Sequence, residues 1–231
     1  MNSVAEYSKV IAIDGPSGSG KSTIAKLISK KLNLTYLDTG AMFRAIAYYL
    51  DSQNINVEDD KRISKSLAEI NFQFAKSSDV LVEINNIDLT HKIREHHVSA
   101  LASKYSQSKV VREYLKDLQR SIAKGRPSIL EGRDIGTVVF PNAALKFYLT
   151  ADNAIRAKRR FLQIKEKDPS TTLSVDSLLK DIQKRDADDQ NRKIAPLQKA
   201  HDATELDSTN MSIDKVVDII CEAYQKKKEK F

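Results

Sequence analysis

The chain has 231 residues, 41% of them hydrophobic and 30% charged, which suits a globular domain with a hydrophobic core of its own. It contains no run of 18 apolar residues, and its first ten residues lack the pattern of a signal peptide, so we expect a cytoplasmic protein with no membrane span. A single cysteine, Cys221, excludes an internal disulfide, and its place in an apolar helical pattern predicts a packing role. The net charge of +7 is compatible with nucleic acid, but no nucleic-acid-binding module is recognisable, so no such partner is expected.

Apolar strand patterns alternate with amphipathic helix patterns along the chain, which predicts an α/β fold with a mostly parallel sheet covered by helices on both faces. Residues 70–89 break this alternation, because "INFQFA" and "VLVEIN" have the two-residue period of an antiparallel hairpin around the turn "KSSD". Residues 168–200 are polar and are predicted to form a loop. The predicted strands are 9–14, 35–40, 127–134, 144–150 and 204–209, and the predicted helices are 22–32, about 41–50, 108–125, 151–167 and the segment from Ser212 onward.

The turn between the first strand and the first helix, "GPSGSGKS" at 15–22, fits the phosphate-binding pattern G-x-x-x-x-G-K-[ST]. Glycines let backbone N–H groups converge on an anion, and the helix that follows directs the positive end of its dipole at the same point. Lys21 adds a mobile positive charge for the β- and γ-phosphates, and the Ser22 hydroxyl can bind Mg²⁺. The pattern therefore predicts a nucleotide phosphate site, the P-loop.

A P-loop occurs in kinases, GTPases and motor ATPases, so other features must discriminate between these classes. The chain has neither the N/T-K-x-D motif of GTPases nor the apolar run ending in Asp-Glu that is typical of motor ATPases, which favours a small phosphotransferase. Such an enzyme must neutralise the phosphates of both substrates and exclude water. Single arginines at predicted strand ends and in the polar segment suit this task, and we predict an anion clamp formed by Arg44, Arg133, Arg185 and Arg192.

Five segments in this order resemble the bacterial cytidylate kinase (CMP kinase) family: "IAIDGPSGSGKST", "YLDTGAMFRA", "EGRDIGTVVFP", "RDADDQNR…APL" and "LDST". The resemblance covers roughly residues 9–225, and "GRDIGTVVFP" is its most specific part. It implies a single P-loop kinase domain over 1–231, with a monophosphate-binding region at 40–105 that contains the hairpin, and a mobile lid at 155–195. It also implies an enzyme that uses Mg²⁺ and moves the γ-phosphoryl group of ATP to CMP and dCMP, and we expect a monomer.

The resemblance assigns roles to residues at matching positions. ATP would lie on the P-loop residues Gly15, Pro16, Ser17, Gly18, Ser19, Gly20, Lys21, Ser22 and Thr23, with Ser22 on Mg²⁺. The monophosphate would contact Thr39, Arg44 and Arg133, with Phe43 packed nearby. Ser103, Arg112 and Asp134 match the positions that read cytosine, and Arg185 and Asp189 match those that hold the ribose. The residues expected to act on the transferred phosphoryl group are Lys21, Arg133, Arg159, Arg185 and Arg192, the last three in or beside the lid.

Three positions depart from the family pattern. Phe43 stands where the family often has Tyr, and Asp188 and Gln190 stand where relatives can carry arginine, which lowers the positive charge of the lid. Two alternatives remain open at this stage. The first is a kinase for another small acceptor, such as UMP or dephospho-coenzyme A, and the second is a P-loop binding or regulatory protein with little turnover.

Overall fold

The computed structural model describes residues 9–75 and 81–228, and the chain divides into two compact units. The first unit holds the chain up to Leu37 and from Ala123 onward, and the second holds Asp38–Ile122. No helix in the described ranges is both long enough and apolar enough to cross a membrane. The predicted turn "KSSD" at 76–79 lies outside the described residues.

The helices and strands follow in chain order. The strands are β1 (Val10–Asp14), β2 (Thr35–Asp38), β3 (Phe72–Phe74), β4 (Val82–Ile84), β5 (Ile87–Asp88), β6 (Ser128–Gly132), β7 (Leu145–Thr150) and β8 (Thr204–Asp207). The α-helices are α1 (Lys21–Leu32), α2 (Thr39–Ser52), α3 (Asp60–Ala68), α4 (His96–Tyr105), α5 (Lys109–Ala123), α6 (Asn153–Lys167), α7 (Val175–Asn191) and α8 (Ile213–Lys228). A 3₁₀ turn spans Lys92–Arg94, and a π-helical turn spans Ile135–Val139.

The five-stranded sheet has the order β2-β6-β1-β7-β8, so β1 lies at its centre. β1 pairs in parallel with both of its neighbours, placing Asp14 beside Gly132 of β6 and Tyr148 of β7, and β7 pairs in parallel with β8. Helices flank this sheet, and the predicted α/β class is confirmed. Because parallel strands end at the same edge of a sheet, the segments after Asp14, Gly132 and Thr150 all begin there.

The core on one face of this sheet explains why its strands read as nearly continuous apolar runs. Helices α1 and α8 pack together over Ile11 and Ile13 of β1, and the side chains of Ile28 and Ile220 are fully buried between them. Cys221 belongs to the same buried cluster, which confirms its predicted packing role.

The second unit contains the predicted hairpin. β3 and β4 pair in antiparallel register, with Phe72 opposite Ile84, and β5 adds a third strand that the sequence pattern does not reveal. Helix α2 packs against α4, whose last residue, Tyr105, is buried and donates its hydroxyl to the carbonyl of Ile55. The α2 helix begins at Thr39, within the strand predicted over 35–40, because the Asp38 carboxylate caps it through the N–H of Ala41 at 2.8 Å.

The loop predicted over 168–200 is wrong, because Val175–Asn191 forms the 17-residue helix α7. A capping box between Ser174 and Ser177 starts this helix. Its first half buries Leu178 and Ile182, but the buried positions of its second half are the acidic residues Asp186 and Asp189. The apolar stripe that would identify an amphipathic helix therefore stops halfway.

Candidate functional site

The backbone of the P-loop is fixed by glycines at its two ends. Gly15 has φ +148°, and a Cβ atom there would lie 2.0 Å from the carbonyl oxygen of Leu149 in β7. Gly20 has φ +94° and occupies the N-cap of α1, so the first N–H groups of that helix open toward the loop. Both positions need the conformational range of glycine, and the loop presents the backbone donors that bind phosphate.

The Lys21 side chain folds back into the P-loop. Its Nζ donates to the carbonyl of Pro16 at 2.7 Å and to Oγ of Ser19 at 3.3 Å, and the residue is only 4% exposed. Burial first, and then the positive charge of Arg133, lower the pKa of Lys21 to about 7, although the Glu131 carboxylate acts in the opposite direction. Anionic phosphates would supply the negative charge that this ammonium group lacks.

An acidic residue at the end of β6 faces the P-loop serine. Ser22 donates its hydroxyl to Oε1 of Glu131, and the same oxygen accepts from the hydroxyl of Tyr36 at 3.3 Å. The described residues contain no cluster of three His, Cys, Asp or Glu side chains that could hold a metal by itself. Mg²⁺ prefers oxygen ligands and binds through one or two protein groups together with substrate phosphates. The Ser22–Glu131 pair fits that donor set.

Three charged residues from the end of β6 and from α7 form an ion-pair network, here called the arginine cluster: Arg133, Asp189 and Arg192. Nε of Arg133 donates to Oδ2 of Asp189 at 2.7 Å, and Nη1 of Arg192 donates to Oδ1 at 3.4 Å. Burial alone would raise the pKa of Asp189, but the positive charges of Arg133 and Arg185 bring it below the usual value. The Asp189 carboxylate is therefore held ionised between arginines.

Asp134 follows Arg133 and precedes the π-helical turn. Its side chain makes no capping hydrogen bond to that turn, and one carboxylate oxygen lies 3.6 Å from Nη2 of Arg192. The cap comes instead from Asp14 at the end of β1, whose oxygens accept the N–H groups of Ile135 at 2.8 Å and Gly136 at 2.7 Å. Burial raises the pKa of Asp14 to about 7, although these two hydrogen bonds lower it.

Helices α6 and α7 reach the P-loop through a second ion pair. Asp186 accepts the N–H of Ser17 at 3.1 Å, and Arg156 donates to both Asp186 and the carbonyl of Ser17 at 2.6 Å. Arg159, predicted as a lid arginine, donates instead to the carbonyl of Ser208 at 2.7 Å and to its hydroxyl at 3.0 Å. The structure therefore brings Arg159 onto the segment after β8 and not into the arginine cluster.

The predicted substrate residues of the second unit lie on α2, α4 and α5. The Arg44 guanidinium is 3.5 Å from the Asp38 carboxylate, and the neighbouring Thr39 is buried. Arg112 is only 8% exposed, donates to the carbonyl of Ser106 and places its guanidinium carbon 5.4 Å from the ring centre of Phe43. Arg112 and Phe43 are thus in cation–π contact. Ser103 is half-buried on α4, and its carbonyl accepts the hydroxyl of Ser106.

Sequence reasoning misses four acidic or basic residues that contact the predicted site residues or the turn that follows Asp134. Asp14 and Glu131 could have been found from a local signal, because each stands at or next to the end of a strand beside a predicted phosphate contact. The other two lie inside helices and carry none. The four are Asp14, Glu131, Arg156 and Asp186.

Comparison with known proteins gives a consistent picture. The sequence model of the cytidylate kinase family matches residues 11–226. A cytidylate kinase of Fusobacterium nucleatum is 47% identical over 219 residues, which are 95% of this chain and 98% of the relative. A cytidylate kinase of Clostridium tetani is 46% identical over 211 residues, 91% of each chain. Among solved structures, an uncharacterized protein from Eubacterium ventriosum aligns over 94% of this chain and 98% of its own with a TM-score of 0.50 and 13% identity, a likeness of fold alone.

Proposed function

The chain belongs to the cytidylate kinase family and is an ATP-dependent kinase that phosphorylates CMP to CDP, and we propose that it accepts dCMP as well. The observation that carries the dCMP proposal is the pairing of Asp189, the predicted ribose contact. Its two carboxylate oxygens already accept hydrogen bonds from Arg133 and Arg192. Loss of the 2′-hydroxyl therefore does not leave the Asp189 carboxylate without a partner, and a site rejects an analogue strongly only where a buried polar group is left unpaired.

On the donor side, we propose that ATP binds to the P-loop and that Lys21 contacts its β- and γ-phosphates. The proposal is supported by the glycine-shaped backbone and by the buried position of Lys21. Ser22 and Glu131 would hold Mg²⁺, which when bound neutralises the charge of the phosphates. The full set of proposed ATP contacts is Gly15, Pro16, Ser17, Gly18, Ser19, Gly20, Lys21, Ser22 and Thr23.

On the acceptor side, we propose that Arg133 holds the CMP phosphate together with Arg44 and Thr39. A phosphate oxygen of CMP attacks the γ-phosphorus of ATP in line, the bond from that phosphorus to the β-phosphate oxygen breaks, and ADP leaves. No general base is needed, because the acceptor phosphate is already largely ionised at neutral pH, and no covalent enzyme intermediate forms. Arginine charges that meet this group at the ends of β6 and α7 would stabilise the transition state. The further arginines proposed to act on it are Arg159, Arg185 and Arg192.

We propose that Arg112 and Asp134, with Ser103, read the cytosine base. Cytosine offers an N4 amine as donor and N3 as acceptor, whereas uracil reverses both. An ionised Asp134 can only accept and Arg112 can only donate, so they suit cytosine. Two observations support these roles: Asp134 does not cap its own turn, and Arg112 is buried against Phe43 and is not a surface charge.

A panel of CMP, dCMP, UMP and AMP with ATP tests the proposal. We expect CMP and dCMP to be used at comparable rates and UMP to be used about 10²–10⁵-fold less efficiently. The variants Arg112→Ala and Asp134→Asn should shrink the CMP-to-UMP ratio, while the matched control Lys109→Ala, an exposed charge on the same helix, should leave it unchanged. Equal use of UMP, or a ratio that survives both variants, would contradict the base-reading role.

We further propose that residues 155–195, which include most of α6 and all of α7, act as the lid and close when both nucleotides bind. The arginines paired with the buried acids of α7 support this, because arriving phosphates would supply them with further anionic partners. Amide exchange should slow over residues 185–192 on addition of ATP and CMP, and equal protection in both states would contradict the lid.

We also propose that the protein is a monomer and that it is located in the cytoplasm. Gel filtration tests the first statement and cell fractionation tests the second.

A further inference from the structure

The π-helical turn Ile135–Val139 begins directly after Arg133 and Asp134, two residues proposed to bind CMP. The first N–H groups of a helical segment have no partner within it and need an acceptor from elsewhere. The residue at the cap position normally provides that acceptor, yet the Asp134 side chain makes no such bond. Asp14, which lies on a different strand, accepts the N–H groups of Ile135 and Gly136 at 2.8 and 2.7 Å.

The position of Asp14 is fixed on all sides. It is the last residue of β1, opposite Gly132 of β6, and it is only 5% exposed. A Cβ atom at Gly136 would come within 3.3 Å of Oδ2 of Asp14 and 3.1 Å of Cδ of Lys146. A larger residue at 136 would therefore require the Asp14 and Lys146 side chains to shift by a few tenths of an ångström, which would disturb the two hydrogen bonds.

We propose that Asp14 is a positioning residue for the acceptor nucleotide: by capping the turn 135–139 in place of Asp134, it fixes the backbone that carries Arg133 and Asp134. The proposal rests on the assignment of Arg133 and Asp134 to CMP. Asp14 also immediately precedes Gly15, so one carboxylate ties the acceptor-side turn to the start of the P-loop.

Substitution Asp14→Asn tests this role with little change of shape. The amide oxygen can accept one of the two N–H groups, but the amide NH₂ then meets the other donor. Because hydrogen bonds to a charged group are the stronger kind, we expect kcat/KM for CMP to fall about 10- to 100-fold and the CMP-to-UMP ratio to shrink, while KM for ATP changes less than about threefold. The assay is run at pH 8, where the wild-type carboxylate is ionised.

A purely structural role would lower stability without changing substrate preference. The matched control is Ile220→Val, a change in the core under α1 and α8 that lowers the melting temperature but touches no proposed substrate residue. If Asp14→Asn loses stability as this control does, yet keeps the wild-type KM for CMP and CMP-to-UMP ratio, the proposal is overturned.

A second variant approaches the same contact from the other side. Gly136→Ala should push the carboxylate away and change KM for CMP in the same direction as Asp14→Asn, by a smaller factor; an unchanged KM would count against the proposal.

The amide proton NMR shifts of Ile135 and Gly136 report the two cap hydrogen bonds independently of enzyme kinetics, and both should move upfield in Asp14→Asn. If the wild type does not phosphorylate CMP but these shifts respond, the substrate assignment fails and the cap stands; shifts that do not respond overturn the cap itself.

Discussion

The P-loop and the arginine cluster are both phosphate-binding candidates, yet they are held in place differently. The P-loop depends on its own backbone: glycine conformations, a helix N-terminus and the carbonyl of Pro16. The arginine cluster depends on ion pairs between side chains that are 56 positions apart in the chain, Arg133 and Asp189. The first arrangement is set largely by a local backbone conformation that a Cβ at Gly15 would disrupt, while the second is distributed and should weaken by degrees.

The largest effect is expected from Gly15→Ala. The new Cβ would lie 2.0 Å from a backbone carbonyl of β7, so the loop or the strand must shift, at a cost of about 4 kcal/mol or more in the free energy of unfolding. The matched control is Gly125→Ala, where φ is +67° but no atom lies within 4 Å, so only the backbone strain of about 1–2 kcal/mol remains. Thermal unfolding measures both, and equal losses would contradict the close packing of the P-loop.

Lys21→Ala should leave the fold intact and lower kcat by about 10²–10³, the size expected when one charge on a transferring group is removed. Steady-state kinetics with ATP and CMP, together with circular dichroism, separate these two outcomes. Lys30→Ala, an exposed position on the same helix, is the control and should behave as the wild type. A Lys21→Ala enzyme with near-normal turnover would overturn the assignment of the P-loop.

Asp189→Asn tests whether the arginine cluster fails gradually. Removing the charge weakens the bonds to Arg133 and Arg192 but preserves the shape, so kcat/KM for CMP should fall about 10- to 100-fold. The neighbouring Asp188 is exposed. Asp188→Asn should therefore leave kcat/KM for CMP within about twofold of the wild-type value, because surface substitutions usually have small effects. A drop in Asp188→Asn as large as that in Asp189→Asn would remove the distinction between the buried cluster and the helix surface.

A further effect concerns the pH dependence of stability. The pKa of Asp14 is 3.8 in its ordinary state and about 7 in the folded chain, because of burial and then the charge of Asp134, against the opposing charge of Lys21. The folded state thus keeps a proton that the unfolded state releases, so this residue stabilises the fold fully below about pH 4 and loses that contribution as the pH rises toward 7.

Between pH 4.5 and 6.5, Asp14→Asn should therefore gain on the wild type by up to about 1.4 kcal/mol of unfolding free energy per pH unit. Urea unfolding of the nucleotide-free protein over this window measures the difference. The exposed Asp218→Asn should show no such gain, since its folded-state pKa is lowered and not raised. Parallel pH profiles for the wild type and Asp14→Asn would show that the buried carboxyl is not the cause.

The sequence predicts the P-loop and the positions of the five strands of the parallel sheet, because both depend on local patterns. Gly15, Gly20 and Lys21 are recognisable from spacing alone, and so is the strand that precedes Arg133. The cap from Asp14 to Gly136 could not be predicted, because it depends on the pairing of β1 with β6 and on the absence of a Cβ in the turn.

Helix α7 is an element that the sequence pattern failed to predict. Its inner face carries Leu178 and Ile182 and then Asp186 and Asp189, so half of the buried stripe reads as a solvated surface. The acids are buried because they pair with arginines from α6 and from the end of β6. These partners lie outside residues 168–200, so the sequence of that segment does not indicate them. Where buried positions are occupied by paired charges, hydrophobic periodicity does not predict the helix.

The position of β1 in the sheet has a consequence for biosynthesis. β1 is synthesised before its two neighbours in the sheet, which begin only at Ser128 and Leu145. Residues 38–122 form a contiguous unit whose internal contacts are complete before either neighbour has been made. During translation the apolar segment Val10–Asp14 must therefore wait unpaired, a period in which an exposed strand is prone to aggregate. The P-loop, which follows β1, is therefore synthesised well before the strands that hold β1 in the sheet, and it can take its final form only after them.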